Sequence, residues 1–312
     1  MNFSLWWMFT YYFRSVIKWF LRKTTGLCEL QRICYGEVAG APRIKKVESC
    51  LYMSKSHQIK QLIQHLNSIS DSNGFFGPNH KNVLNGAVKV VLLVKEIDPK
   101  IHFQFVKSFE ICVKQIWGYR QLIAEVERLR TTSYDSENLE HENKLNNLWM
   151  NLKPEEKLEG RITKQWQEIG FQGEDPKTDF RGMGLLGLEN LLFFASVHRS
   201  AAQHVLSHSY HPKHGYCFAI VGINLTSLAW SLLKEGSAKT YVYNNCINIP
   251  SITLFHHFYS YLFYEFDRFW MECRPKNIME FSNIKNKFEN NIRSSLQDSN
   301  TDFRIGVTVN YV

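Results

Sequence analysis

Apolar residues recur at three- and four-residue intervals along most of the chain, a period that predicts helices rather than strands. The longest such pattern covers 100–130, where Phe103, Phe105, Val106, Phe109, Val113, Ile116 and Trp117 are followed by Leu122, Ile123, Val126 and Leu129, with Gly118 as a candidate break. Upstream, helices are predicted over 56–69 and 83–96. The β-branched run Val90-Val91-Leu92-Leu93-Val94 would suit a strand, but its length and polar flanks favour a buried helix. Residues 131–135 form a polar turn, and Ser136 is an N-cap candidate for a helix over 137–152, whose first turn would hold Glu137 and Glu140. After Pro154 helices are predicted over 155–169, 184–196, 200–207, 217–234, 252–273 and 277–296, with Gly236, Pro250 and Pro275 punctuating the joins. Residues 36–54, which contain Gly36, Gly40 and Pro42, read as a linker, 70–78 as a turn, and the tail from 298 as frayed. With no hairpin signal, internal repeat or low-complexity tract, the expected fold class is all-α.

Between the helices predicted over 155–169 and 184–196 lies a stretch of a different kind. Five glycines fall within 170–187, a density that marks backbone turning sharply or approached closely. At its centre, Asp179-Phe180-Arg181-Gly182 sets a cation beside a residue without a side chain. Leu185, Leu188, Leu191 and Leu192 then begin a helix, so Arg181 stands close to an N-terminus, where the macrodipole disfavours positive charge by ~0.3–1 kcal/mol. Such a residue calls for an anionic partner. Two readings stand: an internal salt bridge to Asp179 or Asp175, or an anion brought from outside. Asp179 is open in the same way, as the N-cap of the following helix or as the group that holds Arg181. Trp166, Phe171, Phe193 and Phe194 read as core.

Charge narrows the partners. The chain carries +8 over 312 residues, and residues 1–60 hold ten Lys/Arg against three Glu, so all but one of those positive charges belong to this N-terminal part. A nucleic-acid-binding domain more often carries its basic patch on the folded body, and none is expected here. Phe3 to Phe13 is uncharged and aromatic, and Arg14, Lys18 and Arg22 then follow at four-residue spacing. Phe9, Phe13, Val16, Ile17 and Phe20 fall largely on the other side. A basic amphipathic helix of this kind, residues 3–23, suits a membrane surface. The alternatives are a helix packing its aromatics on the body, or a span, for which an uncharged run of 11 is short. The order of charge and apolar core is the reverse of a signal peptide. Seven cysteines, an odd number without a CxxC pair, point to a reducing compartment.

Several chemistries fail on spacing. Gly182-Met-Gly184-Leu-Leu-Gly187 matches GxGxxG, but no strand precedes it and no acid occurs between Asn190 and Lys234. No GxxxxGK[ST] is present, so the chain is not itself a P-loop GTPase. His204, His208, His211, His214 and Cys217 could ligate zinc, yet no cysteine cluster accompanies them, and no metal is expected. Without a nucleophile motif such as GxSxG, a Ser/His/acid triad has no starting point.

The string Trp166-x3-Gly170-Phe171-Gln172-x3-Pro176-x-Thr178-Asp179-Phe180-Arg181-Gly182 resembles the signature of the ELMO domain. The likeness continues through Gly215-Tyr-Cys-Phe-Ala-Ile-Val-Gly-Ile-Asn-Leu-Thr226 and Tyr264-Glu-Phe-Asp-Arg-Phe-Trp270. It reaches back to Gly26-Leu-Cys-Glu-Leu-Gln-Arg-Ile33 and Tyr134-Asp-Ser136, so it spans nearly the whole chain. The division it implies is a basic aromatic arm (1–35), an N-terminal helical region (36–133), a multi-helix ELMO domain (134–296) and a tail (297–312). The resemblance implies a GTPase-activating protein for Arf-family small GTPases, including Arf-like members, and so a regulator of hydrolysis rather than the hydrolase. Its proposed catalytic arginine falls on Arg181, with Trp166, Gly170, Gln172, Pro176, Thr178, Asp179 and Gly182 as the supporting loop. GTP and Mg²⁺ would be carried by the partner, so the chain needs no cofactor of its own. A cytoplasmic protein, peripheral on the cytosolic face of intracellular membranes, is the matching location. A scaffold that binds small GTPases or exchange factors without accelerating hydrolysis is the alternative.

Overall fold

Every regular element among the described residues is helical. The computed structural model describes residues 3–72, 80–246, 248–298 and 301–305, without the side chains of 3–12, 15 and 80. The chain divides into two units: 1–121 with 246–249, and 122–245 with 250–312.

The first unit holds α1 (Phe3–Thr25), α2 (Glu29–Gly36), α3 (Ala41–Tyr52), α4 (His57–Asp71), α5 (His80–Lys95) and most of α6 (Phe103–Thr131). The expected linker over 36–54 is instead largely α3. Gly40 takes φ +93° ahead of it, and Pro42 sits in its first turn, where a missing N–H costs nothing. The glycine and proline that suggested a linker are the punctuation of a helix start. α6 runs unbroken through Gly118, and the turn expected over 70–78 lies mostly outside the described residues. Ile44, Val47, Ile59, Leu66, Val91, Phe105 and Phe109 form the core.

Two of the α1 cations, Arg14 and Lys18, are half-buried, while Arg22 and Lys23 are exposed. Arg14 and Lys18 pair with Glu29 on α2, and Arg22 pairs with Glu96. Val16, Ile17, Trp19 and Phe20 are exposed as well, so where its side chains are described the arm does not pack an aromatic face on the body. The side chain of Phe9, read as part of that face, lies outside the described set. No helix among the described residues is long and apolar enough to cross a membrane.

The second unit contains α7 (Leu139–Leu152), α8 (Gly184–Val197), α9 (Arg199–Ser209), α10 (Phe218–Lys234), α11 (Lys239–Asn245), α12 (Ile252–Cys273) and α13 (Phe281–Ser295). α8 is its centre, packed by α7, α9, α10 and α12. Its sequence is apolar around most of its circumference, as a helix enclosed by neighbours requires. Gly222 of α10 makes a close crossing there: a Cβ would fall 2.5 Å from Leu191 Cδ2 and 2.8 Å from the Tyr259 hydroxyl. α7 is capped by Asn138, whose Oδ1 accepts the Glu140 N–H, rather than by Ser136. Asp135 closes a turn onto the Glu137 N–H first and delays the helix. α11 was not expected. Nor does the tail wholly fray, since Phe303 is buried against Tyr241, Phe258 and Tyr261.

Candidate functional site

The helix expected over 155–169 does not form. Only 164–169 closes a 3₁₀ turn, and the segment before it is irregular. Three side chains take its backbone groups out of helical reach. Trp149 Nε1 donates to the Glu156 carbonyl, Trp166 Nε1 to that of Arg161, and Gln165 both donates to the Lys157 carbonyl and accepts the Glu159 N–H. With those groups satisfied, an irregular segment incurs no penalty for unpaired backbone.

This segment leads into a platform of rings. Trp149 meets Trp166 edge-on at 5.6 Å, Trp166 meets Phe171 at 5.8 Å, Phe171 meets Phe180 at 5.6 Å, and Phe180 meets Tyr134 at 5.7 Å. Trp166, Phe171, Phe180 and Phe194 are buried as core, while Phe193 is half-buried. Gly170 holds the platform to α10. At φ +84° it brings its carbonyl to the Ile220 N–H at 3.2 Å, and a Cβ there would fall 2.2 Å from the Phe218 nitrogen. Gly184 (φ +52°) does the same on the other side, where Leu185 N donates to the Thr132 carbonyl at 2.8 Å. Glycine is required at both places.

On this base sits a second 3₁₀ turn, Pro176–Gly182, with Asp175 as its N-cap. Pro176 and Phe180 point inward; Lys177, Thr178, Arg181 and Gly182 are exposed, as is Gln172. Arg181 is in the last turn of this segment, so the dipole nearest to it is not opposed to its charge.

Neither acid expected to hold Arg181 does so. Asp175 forms a two-pronged pair with Arg161, at 2.9 and 2.8 Å, and its Oδ1 also accepts the Lys177 N–H at 3.0 Å. Burial alone would raise the Asp175 carboxyl; the Arg161 and Lys177 hydrogen bonds outweigh it and hold it below the usual range. Asp179 Oδ2 accepts the Gln172 N–H at 2.9 Å. Burial pushes this carboxyl upward, the Gln172 bond opposes that, and nearby Asp175 adds to it. Asp179 is thus neither the cap of α8, whose N-cap Met183 makes no side-chain bond, nor a partner of Arg181. It ties the two halves of the loop together. Among the described residues no carboxylate pairs with Arg181. Thr178 Oγ1 donates to the Asp175 carbonyl at 3.2 Å. Gly182 takes no left-handed conformation, and a Cβ there would meet nothing within 4 Å, so its surface is open.

The histidine set divides. His204 and His208, one turn apart on α9, come together with Asp267 of α12, whereas His211 accepts the Lys213 and His214 N–H groups and His214 binds the Pro275 carbonyl. His208 Nδ1 lies 2.7 Å from Asp267 Oδ2, and Tyr216 donates to Oδ1 at 2.6 Å. Two ligands of tetrahedral zinc stand about 3.3 Å apart at normal bond lengths, so this spacing is that of a hydrogen-bonded pair. Sequence reasoning passed over Asp267, and also Arg161, which decides the electrostatics of the loop.

The model of the ELMO/CED-12 family matches residues 124–285, half of the chain. Human ELMO domain-containing protein 2 is 44% identical over 305 residues, covering 97% of this chain and 99% of its own. The chain belongs to the ELMO/CED-12 family. Bovine ELMO domain-containing protein 1 is 46% identical over 90% of this chain and 87% of its own, and ELMO domain-containing protein B of Dictyostelium discoideum is 35% identical over 89% and 93%. No solved structure matches it. ELMO-domain proteins act with small GTPases and regulate them rather than being enzymes in the usual sense. The described loop, from Trp166 to Gly187, lies wholly within the family match.

Proposed function

We propose that this chain is a GTPase-activating protein for Arf-family small GTPases, Arf-like members included, and that Arg181 is the residue it inserts beside the partner's nucleotide. The observation that carries this reading is the electrostatic state of the loop. Asp175 is committed to Arg161 and Asp179 to the Gln172 N–H, which leaves the Arg181 guanidinium exposed beside the open Gly182. GTP hydrolysis spreads negative charge over the transferring phosphoryl group, and an arginine supplied in trans is worth about 10³–10⁵ in rate. Arginine serves because it is always protonated and can bridge two phosphate oxygens. The rings beneath the loop fix its backbone, so little ordering remains when the partner arrives. GTP, Mg²⁺ and the attacking water belong to the partner.

The exposed Val16, Ile17, Trp19 and Phe20 of α1 support a peripheral association with the cytosolic face of a membrane, where Arf-family GTPases work. Single-turnover GTP hydrolysis by Arf-family GTPases, with wild type and Arg181→Lys, tests the reading. Loss of most of the stimulation with binding retained is expected, since lysine keeps the charge but not the fork. A fully active lysine variant removes Arg181 from the role. A wild-type protein that binds without accelerating hydrolysis is the scaffold instead.

A further inference from the structure

Arg14, Lys18 and Arg22 of α1 border a cleft whose lining belongs to the first unit and includes no residue of the candidate loop. Its volume is about 780 Å³, within the range of ligand pockets. Its lining includes Arg14, Lys18 and Arg22 of α1, together with Lys55 just before α4, Lys60 in the first turn of α4 and Lys95 at the end of α5. Glu29 is the sole carboxylate of the lining among the described residues. It is held by Arg14 and Lys18 and receives the Cys50 thiol, so its charge is already spent. Arg22 has Glu96, which is 83% exposed and free to exchange with water. Lys55, Lys60 and Lys95 have no carboxylate partner among the described residues.

Solvated lysines on a protein face normally spread apart. Here three without partners among the described residues converge on one concavity that Arg14, Arg22 and Lys18 already make positive. A ligand carrying a single charge would leave most of this field uncompensated, whereas a multiply charged anion relieves it. The source of that anion follows from the outer side of α1. The helix that supplies Arg14, Lys18 and Arg22 to the cleft exposes Val16, Ile17, Trp19 and Phe20 on its own free surface. An apolar surface beside a polyanion pocket matches a lipid, whose chains and headgroup are joined.

We propose that this cleft binds the multiply phosphorylated headgroup of a membrane lipid, with Lys55, Lys60 and Lys95 as the discriminating cations. The proposal rests on reading α1 as the membrane-facing element, and its test separates the two. The full chain is bound to phosphatidylcholine vesicles that contain either phosphatidylserine or phosphatidylinositol bisphosphate at matched total charge, and separately to soluble inositol trisphosphate. Wild type should prefer the bisphosphate vesicles by roughly 10–100-fold and should bind the soluble trisphosphate. Lys55→Gln/Lys60→Gln/Lys95→Gln, which breaks no described ion pair, should lose the preference. Trp19→Ser/Phe20→Ser should lose the vesicles yet keep the soluble trisphosphate. Equal binding to both vesicle types without binding of the soluble trisphosphate, or a triple variant that keeps the preference, overturns the headgroup site. Soluble binding without any vesicle preference overturns the lipid source. If Trp19→Ser/Phe20→Ser still binds vesicles, the membrane reading of α1 falls while the cleft stands.

Discussion

Two glycines of the same loop, Gly182 and Gly184, offer a sharp test of how the site is supported. At Gly184 the backbone has φ +52°, and an added Cβ would stand 2.3 Å from the Arg130 carbonyl oxygen and 2.5 Å from that of Thr132. Those carbonyls end α6, and the Leu185 N–H reaches the second of them at 2.8 Å. The start of α8 and the end of α6 thus satisfy each other's orphan groups, and the crossing is possible only without a side chain. For Gly184→Ala the left-handed backbone costs about 1–2 kcal/mol, and forcing two carbonyls apart adds about 1–3 kcal/mol. Reduced entropy of the unfolded chain returns about 0.4–1 kcal/mol. The net loss is about 1–5 kcal/mol, or roughly 2–20 °C in Tm for a unit of this size.

Gly182→Ala is the control. Its Cβ would meet nothing within 4 Å, and the position has no positive φ. Stability should stay within about 0.5 kcal/mol of wild type. Calorimetry or urea unfolding of the two variants reads the difference directly. The same two proteins then go into the single-turnover assay, where Gly182→Ala should lower GTPase stimulation although it is fully folded, because the open surface beside Arg181 is where the partner would approach. A Gly184→Ala protein with unchanged Tm, or a Gly182→Ala protein as unstable as it, would refute the packing argument.

Other contacts of the fold lead to further expected outcomes. Asp175→Ala removes both Arg161 hydrogen bonds and the Lys177 N–H cap, and urea unfolding should show a loss of about 1–2 kcal/mol together with weaker GTPase stimulation. His256 is buried on α12 with Nδ1 at 2.7 Å from Asn190 Oδ1, and burial, aided by neighbouring His257, pushes its pKa down to about 4. The unfolded chain therefore binds more protons between pH 6.5 and 4, so stability is complete above pH 6.5 and falls by about 3 kcal/mol as the pH drops through that window. His256→Gln should flatten that slope in pH-dependent unfolding.

What the sequence made legible depended on whether the deciding partner was near in the chain. The limits of α12 could be read because an aromatic helical period is bounded by a Ser and a Pro at one end and by a Pro at the other. The same reading failed over 155–169, where helical spacing is present but Trp149, Trp166 and Gln165 capture the backbone, and it turned Gly40 and Pro42 into a linker although they start α3. Family motif and glycine density pointed to the loop over 166–187, and the close backbone approaches at Gly170 and Gly184 give a physical reason for two of those glycines. Its electrostatics were beyond reach. Between 155 and 181 seven acids and five bases alternate, and any of several pairings is compatible with their spacing. Asp179 and Arg181 are two residues apart, yet in an exposed 3₁₀ turn they diverge; Arg161, fourteen residues before Asp175, takes the acid that would otherwise have been available. Arg161 therefore bears on Arg181 without touching it. By occupying Asp175, it engages one of the two carboxylates that the sequence offers to the guanidinium that the proposed mechanism needs free.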